Sequence, residues 1–262
     1  MVITTGDVVA WYDIEDNTGT DLLDNSANSN DFSFSATPPA WVTDAPTGLT
    51  YSLDFVTADR VPMGSSLIPN SAFSLAAWVK FDNDGVNSHV FGRNASFLFG
   101  TQSGDKSASR IYDGYAWSTI SNSGTTVTTW QHLVITWNGS STMAMYTDGA
   151  ASGSTTQNSM ANTGATLYMG AYNPTSDGRY MDGHIAQAQI FNKALTSTEV
   201  TALYNLGTAQ TYNSFFASGT NAQINIGDAW KSIEGMQINI GDSWKVVEGA
   251  QVNIGDSWKT IF

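Results

Sequence analysis

Aromatic side chains lie beside arginine, aspartate and asparagine in two segments, 105–117 and 172–180. Aromatic rings can stack on sugar rings, and planar polar groups beside them can bind hydroxyl groups. Both segments fall between predicted strands, so they predict a glycan-binding surface on loops. The alternative is that these rings only cover the ends of the sheets. The candidate residues are Arg110, Tyr112, Asp113, Tyr115, Trp117, Tyr172, Asn173, Arg179 and Tyr180.

Acidic and amide side chains are clustered in the segment 24–31. Clustered carboxylate and amide oxygens suit a hard cation such as calcium. The candidate ligands are Asp24, Asn28 and Asp31. The alternative is a polar turn that binds no metal. Calcium is the one cofactor that the sequence suggests.

Residues suited to catalysis are sparse. A glycosidase needs two carboxyl groups that face each other across a cleft, and Glu15 and Glu199 are the only glutamates before residue 221. Asp13, Glu15 and Asp16 are close in sequence, but adjacent residues of a strand point to opposite faces. An atypical glycosidase that uses these three acids is the minor alternative. We therefore predict that the protein is not an enzyme.

Histidine and glycine motifs for other chemistry are also missing. His89, His132 and His184 lie in different predicted elements, and no two have the spacing of metal ligands. The sequence contains no Gly-x-Ser-x-Gly motif and no phosphate-binding glycine loop followed by lysine. Nucleophilic and nucleotide chemistry therefore have no candidate residues.

The charge and cysteine content of the 262 residues exclude several classes of partner and stabilisation. There are 23 acidic and 10 basic residues, a net charge of −13, and no basic cluster. Such a chain is poorly suited to nucleic acid or to an anionic membrane. It has no cysteine, so neither disulfides nor thiolate zinc sites can stabilise the fold.

Short apolar runs rich in Val, Ile, Thr and aromatic residues, separated by Gly, Asn, Asp and Ser, extend from residue 7 to 190. This pattern predicts an all-β sandwich. Asn-Gly-Ser-Ser after Trp137 and Asp-Gly after Thr147 predict hairpin turns. The clearest predicted strands are 73–81, 130–137, 142–147, 165–170 and 184–191.

One segment, Leu195 to Asn205, predicts a short helix. Thr196 is the expected N-cap, and Glu199 completes a capping box. Leu195 is placed to pack on Val200, and Gly207 is expected to end the helix.

Five motifs follow one another in the sandwich region. They are Phe73-Ser-Leu-Ala-Ala-Trp-Val79, Trp130-Gln-His-Leu-Val-Ile-Thr-Trp137, Tyr146-Thr-Asp-Gly149, Leu167-Tyr-Met-Gly170 and the segment from Asp182 through the helix. In this order they resemble the laminin-G-like branch of the concanavalin A-like lectin/glucanase fold. The resemblance spans roughly residues 7–206 and implies two antiparallel sheets in a jelly roll. It does not decide function, because this fold carries lectins, glycosidases, adhesion modules and spacers.

The chain departs from that family in the last predicted strand. Members commonly carry an acidic pair where this sequence has Ala186-Gln187. The departure weakens any site that would be built on the pair.

A fourteen-residue sequence is repeated three times at the C-terminus, with Trp230, Trp244 and Trp258 in register. Each copy predicts two strands and a turn, and isolated two-stranded hairpins are marginal in water. We therefore predict an assembly or anchoring module at 221–262, after a sandwich at 1–207 and a linker at 208–220. The alternative is a monomeric mini-domain with a tryptophan core. The predicted interface residues of the assembly module are Trp230, Trp244, Trp258, Ile226, Ile240, Ile254 and Phe262.

These repeats look like C-terminal modules of bacteriophage virion proteins. The resemblance implies a non-enzymatic structural protein of a virion surface, namely a capsid decoration, head fibre or tail appendage. Its expected partners are other virion proteins and itself, with a trimer favoured, and an outward-facing sandwich could bind glycan. The start of the chain shows no signal peptide, which fits a protein made in the host cytoplasm. The alternative is a secreted bacterial adhesin or carbohydrate-binding module.

Overall fold

The computed structural model describes residues 3–35, 38–56, 58–83, 87–102, 105–122, 128–172 and 179–217, together with short strands between residues 222 and 260. The chain divides into two compact units, Met1–Tyr212 and Asn213–Phe262. The first unit consists mainly of β-strands. In chain order they are β1 (Val8–Tyr12), β2 (Asp21–Leu22), β3 (Phe32–Ser33), β4 (Ala40–Val42), β5 (Ser52–Phe55), β6 (Val61–Pro62), β7 (Phe73–Phe81), β8 (His89–Arg93), β9 (Phe97–Gln102), β10 (Asp105–Tyr112), β11 (Trp117–Asn122), β12 (Gln131–Trp137), β13 (Thr142–Thr147), β14 (Ala150–Thr156), β15 (Leu167–Met169) and β16 (Gly183–Phe191).

Two antiparallel sheets form the sandwich. Among the described residues, eight strands make the larger sheet, in the order β14-β13-β12-β7-β16-β5-β4, with β1 also paired to β16. Six strands make the smaller sheet, in the order β11-β10-β9-β8-β15-β6. Strands that are far apart in sequence, such as β7 and β16, are neighbours. This arrangement confirms the predicted sandwich of two antiparallel sheets.

Alternation along β7 separates the two faces of the larger sheet. Phe73, Leu75, Ala77, Val79 and Phe81 all belong to the buried core cluster, which also contains side chains from the smaller sheet. Since successive side chains of a strand point to opposite faces, residues 78 and 80 lie on the other side. We call that side the outer face of the larger sheet.

The predicted strands agree closely with the observed ones. The predictions for 73–81 and 142–147 match β7 and β13 at both ends. The strand predicted at 130–137 begins one residue later, and that predicted at 184–191 begins one residue earlier. The strand predicted at 165–170 is shorter, at Leu167–Met169.

Both predicted hairpin turns join neighbouring strands of the larger sheet. After Trp137, the amide of Asn138 donates to the carbonyl of Thr142. After Thr147, Asp148 and Gly149 have φ angles of 51° and 77°. Two positive φ angles favour Asp-Gly, because aspartate tolerates the left-handed conformation and glycine adopts it freely.

The predicted helix is α1 (Ser197–Tyr204), with Thr196 as its N-cap and Glu199 completing the capping box. Leu195 and Val200 are both buried. The helix ends earlier than predicted. Its C-cap is Asn205 in the left-handed conformation, with φ 45°, and a 3₁₀ turn continues to Gly207. Asparagine can adopt this conformation, so Gly207 is not needed to end α1.

The segment predicted as a linker begins on the surface of the sandwich. Ala209 is buried, and its amide donates to the carbonyl of Thr47. The Tyr212 ring packs edge-on against Trp11, with centroids 5.8 Å apart. A second helix, α2 (Tyr212–Ala217), follows. No helix in the described part of the chain is both long enough and apolar enough to span a membrane.

Three hairpins make up the repeat segment of the second unit, within its described residues. They pair β17 (Ala222–Ile226) with β18 (Ala229–Ile233), β19 (Gln237–Ile240) with β20 (Ser243–Val246), and β21 (Gln251–Asn253) with β22 (Trp258–Thr260). Each hairpin places a tryptophan opposite the asparagine of the preceding strand, for example Trp230 opposite Asn225. The predicted strand–turn–strand repeat is therefore present. Ile254 and Phe262 lie outside the described residues.

Candidate functional site

A cleft of about 500 Å³ opens on the outer face of the larger sheet. Trp78 of β7 lies on this face, next to His132 of β12. The rim comes from the loop 45–47, the segment 128–130, the β13–β14 turn and the end of α1. We call this site the aromatic cleft; its lining residues are Ala45, Pro46, Thr47, Trp78, Thr128, Thr129, Trp130, Asp148, Tyr204 and Gly207.

Stacked rings form one part of the aromatic cleft. Trp78 and Tyr204 are nearly parallel, with an angle of 24° between their planes and centroids 5.8 Å apart. The His132 ring lies 5.2 Å from Trp78 and 6.2 Å from Tyr204. Trp78 is 3% exposed, whereas Tyr204 is only partly buried. The cleft therefore has a fixed tryptophan and an accessible tyrosine.

Trp130 is held in position by charged neighbours. Its indole N–H donates to Asp44 Oδ1 at 2.9 Å, and the Lys80 ammonium group lies 6.0 Å from its ring centroid. Lys80 also forms a salt bridge with Asp44. Burial raises the pKa of Asp44, but hydrogen bonds from Lys80 and Trp130 outweigh it, and the pKa lies below its usual range. Asp44 is therefore ionised at neutral pH and holds the side chains of Lys80 and Trp130 in position.

Polar atoms with no hydrogen-bond partner accumulate beneath the cleft. Trp78 Nε1 and both ring nitrogens of His132 are buried without a partner among the described residues. Burial lowers the pKa of His132 to about 3, so its imidazole is neutral at physiological pH. The carboxylate of Asp148 accepts the backbone N–H of His132 at 2.9 Å. These three nitrogens have almost no accessible surface, so they are not available to a ligand, whereas the Asp148 carboxylate lines the cleft.

The structure brings several of the predicted glycan-binding residues together on the smaller sheet. Ring centroids are 5.1 Å apart for Tyr112 and Trp117, and 6.1 Å apart for Trp117 and Tyr172. The Arg179 guanidinium lies 5.6 Å from the Tyr172 ring centroid. We call Tyr112, Trp117 and Tyr172 the aromatic patch. Trp117 is 37% exposed and Tyr172 is 6% exposed, so the patch offers less accessible ring area than three rings would suggest.

Other predicted residues near the patch have structural partners. Asp113 accepts the backbone N–H groups of Tyr115 and Ala116, and these bonds lower its pKa. The Tyr115 side chain is 95% exposed. Tyr180 pairs with Ala171 in an isolated bridge. Asn173 lies outside the described residues.

Arg110 interacts electrostatically with a buried histidine, His89. His89 is 1% exposed, and burial together with the charges of Arg179 and Arg110 lowers its pKa to about 3. Its ring centroid lies 5.9 Å from that of Tyr172. The two arginines therefore lie close to the aromatic patch, and burial together with their charges keeps His89 neutral.

Comparison with known proteins identifies the fold family. Residues 55–201 match the family described as the concanavalin A-like lectin/glucanases superfamily. The chain belongs to this superfamily. No curated protein sequence matches the chain.

Solved structures with the same fold are only distantly related in sequence. The binding domain of Paraclostridial Mosquitocidal Protein 1 has a TM-score of 0.61 and 16% identity over 77% of this chain and 52% of that one. Domain 4 of AbnA, a GH43 extracellular arabinanase from Geobacillus stearothermophilus, was solved with arabinotriose. It has a TM-score of 0.59 and 16% identity, over 77% of this chain and 98% of that one.

The ligand binding domain of botulinum neurotoxin serotype D, solved with N-acetylneuraminic acid, has a TM-score of 0.56 and 14% identity, over 77% and 51% of the two chains. The chain thus spans about half the length of the toxin domains that it matches.

Superfamily members commonly carry an acidic pair at the position of Ala186-Gln187, and here both residues are used in packing. Ala186 is buried in a cluster with Trp78 and Ala209. Gln187 donates from Nε2 to Asp13 Oδ1 at 3.4 Å and to the carbonyl of Gln210. These two positions anchor the segment after α1.

Two of the three acids considered for glycosidase chemistry, Asp13 and Glu15, also have structural partners. Asp13 Oδ1 accepts the Trp11 indole N–H and the backbone N–H of Tyr212, both at 2.8 Å. Burial raises the pKa of Asp13 to about 6, against these bonds and with a further contribution from Glu15. Glu15 Oε1 accepts the backbone N–H groups of Thr50 and Tyr51. Their positions are explained by loop anchoring.

The predicted calcium ligands are part of a hydrogen-bonded loop. Asp24 accepts backbone N–H groups of Trp11, Ser26 and Asn30. Asp31 Oδ1 accepts the backbone N–H of Asp24 at 2.7 Å. The Asn28 side-chain amide donates to the carbonyls of Val8 and Val9. These bonds account for the residue types without a cation, and calcium binding stays a prediction.

The aromatic cleft was missed in the sequence because its rings come from segments far apart in the chain. Trp78, Trp130 and Tyr204 approach one another only through the pairing of β7 with β12 and the return of α1. One signal was available. Trp78 lies on the face opposite the alternating core residues of 73–81. A large ring on that face indicates that another element packs against it.

Proposed function

We propose that the sandwich is a non-catalytic glycan-binding domain and that the aromatic cleft is its binding site. One observation carries the proposal: the lining of the cleft combines the rings of Trp130 and Tyr204 with the carboxylate of Asp148. Sugars present apolar ring faces beside hydroxyl groups, so they match both features.

The volume of the cleft limits the size of the ligand. A volume of about 500 Å³ lies within the roughly 300–1,000 Å³ that is typical of small-molecule sites. It suits one or two sugar rings. Tyr204 and Trp130 would contact ring faces, while Asp148 would accept from a hydroxyl group.

Two structural neighbours support glycans as the ligand class. The AbnA domain was solved with arabinotriose, and the neurotoxin domain with N-acetylneuraminic acid. At 14–16% identity they share the fold, and their ligands serve as starting probes for this chain.

Glycan-array binding of the full chain, followed by calorimetry with the best sugar, tests the proposal. Trp130→Ala and Tyr204→Ala are expected to weaken binding at least about tenfold, because each removes a ring that lines the cleft. Trp117→Ala is the matched control, since it removes a ring from the aromatic patch instead. Melting temperatures show which variants remain folded. If Trp117→Ala alone abolishes binding, the site is the aromatic patch and the cleft assignment is wrong.

We further propose that the repeats assemble or anchor the protein on a bacteriophage virion surface, as a capsid decoration, head fibre or tail appendage. The three hairpins keep one register between tryptophan and asparagine, as expected for equivalent units in an assembly. Light scattering of the full chain and of a chain that ends at Thr220 tests the assembly role. A trimer is expected only for the full chain, and two monomers would refute it. A secreted adhesin or carbohydrate-binding module, the alternative, predicts glycan binding without particle attachment.

A further inference from the structure

Three side chains that can bind metals meet on the outer face of the larger sheet, next to the aromatic cleft. Asp54 lies on β5, His184 on β16, and Asp82 directly follows β7. In the sheet, His184 is paired with Asp54 on one side and with Lys80 on the other. Two residues after Lys80, Asp82 returns to the same face. We call Asp54, Asp82 and His184 the acidic triad.

The geometry of the triad fits a shared ligand better than direct hydrogen bonds. His184 Nε2 lies 3.7 Å from Asp82 Oδ1 and 3.9 Å from Asp54 Oδ1. These distances exceed those of hydrogen bonds. One ligand atom from each residue lies within 4.8 Å of the others. Nε2 therefore faces two carboxylates across a gap.

His184 itself lacks ordinary partners. The residue is 9% exposed, and its Nδ1 is buried without a hydrogen-bond partner among the described residues. Nε2, the nitrogen that faces the carboxylates, lies beyond hydrogen-bond distance of both, so it is the atom of this histidine that a cation could bind. A cation bound between Nε2 and the carboxylates would satisfy Nε2 and neutralise the two acids.

We propose that the acidic triad binds a transition-metal dication, with zinc as the best match. Neutral imidazole and carboxylate oxygens are zinc ligands at about 2.0–2.2 Å, so tetrahedral ligand atoms lie about 3.4 Å apart. Small side-chain rotations would close the observed distances to that value. Three protein ligands leave a fourth position for water or another small donor. Calcium prefers six to eight oxygen ligands and is a poorer match for the imidazole.

Surrounding charges favour a cation at this place. Asp182 adds a carboxylate that interacts with Asp82 and Asp54, while Asp44 and Lys80 form a salt bridge and offset each other's charge. The His184 ring also packs on Trp130, with centroids 6.1 Å apart. The proposed metal site is therefore adjacent to the aromatic cleft, but none of its three ligand residues lines the cleft.

Zinc calorimetry of the full chain without any affinity tag tests the proposal, in the absence of sugar. One zinc ion per chain is expected to bind, and Asp82→Asn is expected to weaken binding at least about tenfold. Asp44→Asn is the matched control, because Asp44 and Asp82 have side chains that are each 45% exposed. It is expected to change affinity by less than about threefold.

Crystals grown with zinc provide an independent measurement. An anomalous peak at the zinc edge is expected about 2.0–2.1 Å from His184 Nε2. No zinc binding, equal losses in the Asp44 and Asp82 variants, or a peak elsewhere would overturn the proposal. Since sugar is absent, failure here leaves the glycan-binding proposal untouched.

Discussion

At the scale of single residues, Asp13 links the first strand to the segment after α1. Its Oδ1 accepts from Trp11, Tyr212 and Gln187, and burial raises its pKa to about 6. A carboxyl group whose pKa is higher in the folded state stabilises the fold when protonated. This contribution is complete below about pH 4 and is lost as pH rises through 6.

We therefore predict that Asp13→Asn removes this pH dependence. Relative to the variant, the wild-type chain should lose roughly 2 kcal/mol of unfolding free energy between pH 4 and 7, most of the free energy equivalent to the raised pKa. Urea unfolding at several pH values measures the difference. Comparing the two chains cancels the opposing titration of other acids. A difference that stays constant across this range would contradict the pKa assignment.

The residues of the candidate sites were only partly predictable from the sequence. Tyr112 and Trp117 are five residues apart and lie opposite each other on β10 and β11, so local sequence indicated the patch. The aromatic cleft and the acidic triad each need the pairing of strands distant in sequence. Composition and spacing do not determine that pairing, so the position of Trp78 opposite the core face indicated a contact but not the residues that it meets.

At the scale of elements, α1 is held at its N-terminus by a capping box. Thr196 Oγ1 accepts the backbone N–H of Glu199, and the Glu199 carboxylate accepts from Thr196 and Lys193. We predict that Thr196→Ala lowers the unfolding free energy by about 1 kcal/mol. Ser197→Ala, which removes an exposed hydroxyl next to the cap, is the control and should have less than half this effect. Chemical denaturation measures both, and equal losses would refute the cap.

The β13–β14 turn supports one ring of the aromatic cleft. Gly149 has φ +77°, and a Cβ atom there would lie 2.9 Å from Tyr204 Cδ1. Gly149→Ala is therefore predicted to cost about 1 kcal/mol through its backbone and to weaken sugar binding by displacing Tyr204.

Gly164→Ala separates the two effects. Its φ is +63°, and a Cβ atom there would have no neighbour within 4 Å. We expect a similar loss of stability with unchanged sugar affinity, measured by unfolding and calorimetry. Weaker sugar binding in both variants would mean that the contact with Tyr204 is not the cause.

Local signals explain which elements the sequence predicted well. Alternation along β7, the Asp-Gly turn and the capping box each depend on residues within about nine positions, and all three agree with the structure. The sequence placed the end of the helix at Asn205 but assigned its termination to Gly207, because Asn and Gly both adopt the left-handed conformation. Strands β10 and β11 are rich in polar residues and contain few apolar ones. Neither strand was therefore among the clearest predictions.

At the scale of the whole molecule, the sandwich unit extends to Tyr212. The sequence placed the end of the sandwich at 207, because residues after Gly207 are mostly polar. The structure shows why polar residues can belong to this unit. The backbone of residues 209–212 is hydrogen-bonded to Thr47, Gln187 and Asp13, contacts that carry no signature in local sequence.

Two truncated chains test where the folded unit ends. A chain that stops at Tyr212 keeps all of these hydrogen bonds and the ring contact with Trp11, so its melting temperature should match that of the sandwich in the full chain. A chain that stops at Gly207 exposes Ala186 and leaves the buried Asp13 and Gln187 without these backbone partners. Loss of several buried hydrogen bonds and of apolar contact should cost roughly 3 kcal/mol. For a unit of this size that corresponds to a decrease of about 6–12 °C in melting temperature.

Calorimetry of the two chains gives the answer directly. Because the chains differ by only five residues, any difference in stability comes from the segment 208–212. Equal melting temperatures would mean that this segment is a linker, as its composition suggested, and that its contacts with the sandwich contribute little. A lower melting temperature only for the shorter chain would place the boundary after Tyr212, because the tether at Asp13 would then be part of the folded unit.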